Sequence, residues 1–137
     1  MQLTGFVLAG GQSTRMGQDK ALLNWRGQTL LQHMVARLQT VADPVHVVGR
    51  APLLDRLPGL GPLSGIATGL EATFTDANLF VAVDLPFLTQ EFLEYLRSRL
   101  EHSTRPLLAC KIGSAFPLWE SGGRCCQTST DVSPRVN

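Results

Sequence analysis

Residues 8–20, LAGGQSTRMGQDK, place two adjacent glycines, Gly10 and Gly11, ahead of Arg15, Gly17 and Lys20. That set suits an anion. Successive backbone N–H groups in a glycine-rich turn converge on negative charge, and the two cations add fixed positive charge beside it. The apolar run at 5–8 immediately upstream reads as a buried strand, so the turn opens from a strand end. The guest implied is a phosphate chain, in the first instance that of a nucleotide.

Neither of two familiar phosphate motifs accounts for this segment. A P-loop has four residues between its glycines and ends in Gly-Lys-Ser/Thr. Here five residues separate Gly11 from Gly17, and Lys20 follows Gly17 by three with no hydroxyl after it. The dinucleotide fingerprint Gly-x-Gly-x-x-Gly is also missing, because Gly10 and Gly11 are adjacent.

The elements that must position this turn follow from hydrophobic period and punctuation. Leu30, Leu31, Met34, Val35 and Leu38 fall on one helical face. Pro44 introduces a second strand at 45–48, closed by Gly49, and the Pro- and Gly-rich stretch 52–62 reads as a surface loop. Leu63, Ile66, Ala67, Leu70 and Phe74 restore the helical period, and a third strand at 79–83 ends at Asp84. Thr89 is the expected N-cap of a helix carrying Glu91 in its first turn and Phe92, Leu93, Leu96 and Leu100 on its apolar face. A further strand is expected at 107–110. Alternation of strand and helix predicts an α/β fold, a parallel sheet with helices on both faces. Ligands of such sheets sit beyond the carboxyl ends of the strands. The turn after Leu8 and the carboxylate of Asp84 both fall at such ends, so distant parts of the chain converge on one cleft.

The glycine-rich segment resembles the signature of the molybdenum cofactor guanylyltransferases, Leu-Ala-Gly-Gly-x-Ser-x-Arg-Met-Gly-x-Asp-Lys, at every fixed position. Asp19-Lys20 stands where many related nucleotidyltransferases, including cytidylyltransferases acting on the same pterin cofactor, carry Pro-Lys. Residues 61–66 with Gly69 and Leu70 are similar to the family's second glycine-containing segment, and 79–86 to the strand that delivers its metal-binding aspartate. The matches cover about residues 3–100 in the family's order. The resemblance implies a Rossmann-like, three-layer nucleotidyltransferase (nucleotide-diphospho-sugar transferase) fold with a mostly parallel sheet. It implies Mg²⁺-dependent transfer of GMP from GTP to the phosphate of molybdopterin, with pyrophosphate released.

Roles carried over from the resemblance are specific. Backbone at Leu8, Ala9, Gly10 and Gly11, with Gly65, would hold base, ribose and phosphates. Arg15 would approach the triphosphate, and Lys20 the α-phosphate, as a mobile point charge. Asp84 would hold Mg²⁺, which needs only one or two protein carboxylates; capping or turn formation before Pro86 is its other reading. Asp55 falls near the family's base-contacting acid, and a carboxylate can accept from guanine N1 and N2; a residue with no such role is the alternative. Asp19 either orients Lys20 or assists the metal. Transient contacts with other proteins of cofactor biosynthesis and with recipient apoenzymes are implied as well.

Composition narrows the function classes. At 137 residues there is room for one domain, and 44% hydrophobic with 17% charged residues suits a globular cytoplasmic protein. A net charge of +1 gives no reason to expect nucleic-acid or membrane-surface binding. No run is apolar enough for a membrane span, and the opening strand-like sequence predicts no signal peptide. Cys110, Cys125 and Cys126, with His33, His46 and His102, have no metal-ligand spacing; free thiols are expected. Trp25 and Trp119 read as packing residues in preference to stacking platforms. Phe116, Leu118 and Trp119 are similar to a family segment near the acceptor site. Beyond about 120 the chain is polar and aperiodic and resembles nothing in the family, whose members finish with a further strand, a helix and an Asn-rich motif. The expected organisation is therefore a nucleotidyltransferase domain over 1–119, C-terminally incomplete, and an atypical tail over 120–137, with a truncated or frame-shifted reading frame preferred over a short natural variant. Two alternatives stay open: a cytidylyltransferase on a related phosphorylated acceptor, and a nucleotide-binding remnant with impaired catalysis.

Overall fold

The structure, a computed structural model, describes residues 1–10, 19–54, 56 and 61–104. The chain divides into two units, 1–103 and 104–137; of the second, only Thr104 is among the described residues. The expected strand at 107–110, the acceptor-like segment at 116–119, Trp119 and the three cysteines lie outside them.

The first unit is built on a parallel three-stranded sheet of β1 (Leu3–Leu8), β4 (Val45–Val48) and β5 (Ala77–Ala82) in the order β4-β1-β5. A two-stranded hairpin of β2 (Asn24–Trp25) and β3 (Gln28–Thr29) leads into α1 (Leu30–Leu38). Helix α2 (Pro62–Ala72) joins β4 to β5, and α3 (Gln90–Glu101) follows β5. β1 is buried along nearly its whole length because both its edges are paired and both its faces are covered.

Alternation along β1 assigns the faces. A Cβ on Gly5 would meet Ala42 and Leu38, on and just after α1, whereas a Cβ on Gly69 of α2 would lie 2.6 Å from the Phe80 ring and 3.1 Å from that of Phe6. α1 and α2 thus cover opposite faces. α3 is tied to the α1 side, where the Arg97 guanidinium donates to Val41 O over 2.7 Å. The three-layer arrangement follows.

Two of the three described helices begin on a threonine cap, and the helix after Gly61 begins with none. Thr29 and Gln32 form a reciprocal capping box on α1, and Thr89 Oγ1 accepts from Phe92 N at the start of α3, as expected. The buried face of α1 is Leu30, His33, Met34 and Leu38, with Leu31 and Val35 half-buried. α2 departs from expectation. Leu63, Leu70 and Phe74 are exposed, Phe74 fully and beyond the helix end, and the buried face is Ser64, Gly65, Thr68 and Gly69. The stacked rings of Phe6 and Phe80, 4.8 Å apart, fill the space beneath the helix and admit only small residues. The hairpin was not foreseen either: Arg26 and Gly27 both have positive φ, 50° and 86°, the pattern of a two-residue type I′ turn, and Asn24 Oδ1 accepts from Gly27 N.

Candidate functional site at the carboxyl end of the sheet

The register brings three strand ends level, because Leu8 pairs with Val48 on one side and Ala82 on the other. The ladder runs one step further: Ala9 N donates to Val48 O and Val83 N to Leu8 O. Two residues past the paired triplet stand Gly10, Arg50 and Asp84. Neighbouring strands lie about 5 Å apart, so these three backbones share one sheet end within roughly 10 Å. The chain passes from β1 outward to β4 and then back across to β5, so the strand order reverses between β1 and β5. Such a reversal opens a crevice beyond the carboxyl ends of the two strands, and Gly10 and Asp84 border it.

The turn after β4 packs directly on the glycine-rich backbone. Gly49 has φ 91°, and any Cβ there would overlap the Cα and N of Gly10. Two glycines in contact allow the backbones this approach. The next residue, Arg50, pairs through Nη2 with Asp19 Oδ2. Asp19 in turn caps the short 3-10 turn Lys20–Leu22, its Oδ1 accepting from Ala21 N. Lys20, exposed, is thereby held at the same sheet end. Its ammonium makes no ion pair among the described residues.

Asp84 is exposed on the turn after β5, and no cation pairs with it among the described residues. The loop that carries it is anchored from below. His33, on the buried face of α1, has Nε2 3.0 Å from Pro86 O and Nδ1 3.2 Å from Gln28 Nε2. A carbonyl only accepts, so His33 Nε2 carries the proton and Nδ1 accepts from the Gln28 amide. Phe87, next along, meets Trp25 edge-on at 5.1 Å, and the Arg26 guanidinium lies over the Trp25 ring. Trp25 thus packs against Phe87 and Arg26.

Of the predicted site residues, Leu8, Ala9, Gly10, Lys20 and Asp84 come together here. Gly65 is buried in the first turns of α2, the helix that starts from this end of the sheet, with no side chain capping its N-terminus. Gly11, Arg15 and Asp55 lie outside the described residues. Gly49, Arg50 and His33 were missed. Gly49 and Arg50 follow a strand as Gly10 does, and His33 is a polar residue on an otherwise apolar helical face; both signals were present in the sequence. Among the described residues no three His, Cys, Asp or Glu side chains cluster to hold a metal. A lone exposed carboxylate fits Mg²⁺, which keeps waters and shares its ligands with substrate phosphates. An open depression of 210 Å³ lies along α1, lined by Gln28, His33, Ala36, Arg37 and Thr40; it contains none of the predicted site residues. No described helix is long and apolar enough to cross a membrane.

Fold and strand-end geometry together define an open α/β protein whose strand order reverses between β1 and β5, the place where sheets of this class receive ligands. More narrowly, residues 5–127 match the MobA-like NTP transferase domain, and the chain belongs to that family. It is 38% identical over 125 residues to a probable molybdenum cofactor guanylyltransferase of Carboxydothermus hydrogenoformans, covering 85% of this chain and 63% of the relative. It is 46% identical over 106 residues to the molybdenum cofactor guanylyltransferase of Xanthomonas euvesicatoria pv. vesicatoria, covering 72% of this chain and 56% of the relative. The chain thus spans less than two thirds of these relatives' length. Among solved structures, that of Rv0371c from Mycobacterium tuberculosis H37Rv superposes with a TM-score of 0.59 at 23% identity, over 72% of this chain and 60% of the other. A hypothetical transferase from Thermus thermophilus gives 0.55 at 27% identity, over 72% and 47%. The three-layer nucleotidyltransferase architecture expected from the sequence is the one observed.

Proposed function

We propose that this chain transfers GMP from GTP to the phosphate of molybdopterin, releasing pyrophosphate and forming the guanine dinucleotide of the cofactor. The observation that carries the reading is the gathering of the Gly10 backbone, Lys20 and Asp84 at one end of the sheet. The names of the curated relatives support guanylyl transfer in particular.

In the reaction a phosphate oxygen of the acceptor attacks the α-phosphorus of GTP. A bond forms between them as the bond from that phosphorus to the bridging oxygen of pyrophosphate breaks. Little covalent work falls to the protein; alignment and charge neutralisation dominate. Backbone at Leu8, Ala9, Gly10 and Gly11, with Gly65 of α2, would seat the nucleoside and its phosphates. Arg15 would meet the triphosphate, and Asp55 the guanine edge. Lys20 would face the α-phosphate, where negative charge builds as the bonds exchange. Asp84 would hold Mg²⁺, which when bound would supply neutralisation of the charge on the phosphates. His33 holds the loop that carries Asp84 through its hydrogen bond to the Pro86 carbonyl.

The test is pyrophosphate release from Mg-GTP and Mg-CTP with molybdopterin as acceptor, beside Lys20→Ala. Release with GTP alone, lowered about 100-fold in the variant, is the expected result. Release with CTP alone would make the chain a cytidylyltransferase. GTP binding without release would make it a nucleotide-binding remnant.

A further inference from the structure

The turn that follows β4 braces the glycine-rich segment at both of its ends. Consecutive residues do this: Gly49 packs on Gly10, and Arg50 takes the carboxylate of Asp19. Residues 10 and 19 flank the stretch whose sequence carries the second glycine and Arg15. A carboxylate one residue before Lys20 is otherwise a hazard to an anion site. Left free, it competes with phosphate for the Lys20 ammonium and repels the phosphate directly.

We propose that Arg50 is a positioning residue, which occupies the Asp19 carboxylate and so leaves the Lys20 ammonium available to the phosphates of the nucleotide. Four observations carry this. Arg50 Nη2 and Asp19 Oδ2 are in direct contact. The other Asp19 oxygen is committed to Ala21 N, which sets the turn that begins at Lys20. Lys20 makes no ion pair among the described residues although Asp19 is its neighbour in sequence. The Arg50 side chain is only 28% exposed, so packing restricts where the guanidinium can reach. The Asp19 carboxyl lies below its ordinary pKa, chiefly through the hydrogen bond from Arg50. A guanidinium suits this role because it offers a planar fork to a carboxylate. The inference rests on the reading of Lys20 as a phosphate contact.

The experiment compares the full chain with Arg50→Ala, Asp19→Asn and the double variant, using two readouts. Asn retains the capping oxygen, so the turn at Lys20 is preserved. In Mg-GTP binding, Arg50→Ala is expected to lose about tenfold in affinity, and Asp19→Asn/Arg50→Ala to recover to within about threefold of wild type, since no carboxylate then remains to capture Lys20. In the absence of nucleotide, acylation of the Lys20 amine by an amine-directed reagent, followed by peptide mass mapping, is expected to slow in Arg50→Ala and recover in the double variant. An affinity loss that persists in the double variant, unchanged affinity in Arg50→Ala, or unchanged Lys20 reactivity overturns the proposal. If wild type binds no GTP, the nucleotide reading fails and the acylation arm still decides whether Arg50 governs Lys20. Arg50→Gln carries the same comparisons if Arg50→Ala fails to fold.

Discussion

Asp84 and Gly49 differ sharply in what a single substitution should reveal. Asp84 is exposed and unpaired among the described residues, so Asp84→Asn should change unfolding free energy by no more than about 0.5 kcal/mol. Turnover should fall by about 100-fold and lose its response to added Mg²⁺, a result that urea unfolding and a metal titration together would establish. Gly49 is the opposite case. Its positive φ and its contact with the Gly10 backbone leave no place for a Cβ. Gly49→Ala should therefore cost about 2 kcal/mol or more in urea unfolding. It should also weaken GTP binding, because the backbone that yields is that of Gly10.

At the scale of elements, α2 is unusual in burying its small residues and exposing its large ones. The apolar period read from the sequence was real, but it marks the outer side of the helix. Phe6 and Phe80 supply the bulk on that face of the sheet, and the helix approaches until Gly69 touches both rings. Gly69→Val should destabilise the chain by about 1–3 kcal/mol through overpacking, measured by urea unfolding. The same change would lift the start of α2, and Gly65 with it, away from the sheet end, so GTP affinity is expected to fall as well. By contrast α1 and α3 bury apolar faces close to those the 3.6-residue period indicates, and their caps at Thr29 and Thr89 are made by the expected residue types. His33 is the exception on α1: a polar group on the core side that serves the Asp84 loop.

For the molecule as a whole, the ion pair at the site ties stability to acid pH. Asp19 has its folded pKa below the ordinary 3.8, held there first by the hydrogen bond from Arg50. A carboxyl depressed on folding stabilises the folded state fully above the unfolded pKa and loses that contribution as pH falls through the folded one. Stability should therefore decline below about pH 3.8 less steeply in Asp19→Asn than in wild type, as followed by urea unfolding across pH 2–5. Because the carboxylate is 42% exposed, the difference should be small and shrink with added salt.

Local chemistry alone made the three strands of the parallel sheet, the helix cap at Thr89, the parallel α/β class and the anion-seeking character of residues 8–20 readable, since each depends on residue type and short spacing. The family resemblance followed from the same stretch, and so did the candidacies of Gly10, Lys20 and Asp84. Other features depend on neighbours far apart in sequence. Which face of α2 is buried was decided by the volume of Phe6 and Phe80 across the layer. The roles of Gly49 and Arg50 exist only because parallel pairing of β4 with β1 brings residue 49 against residue 10 and residue 50 against residue 19. Periodicity reports how a segment divides between polar and apolar. It carries no information on what the opposing layer leaves room for, or on which strand end lies alongside, and those are settled by packing.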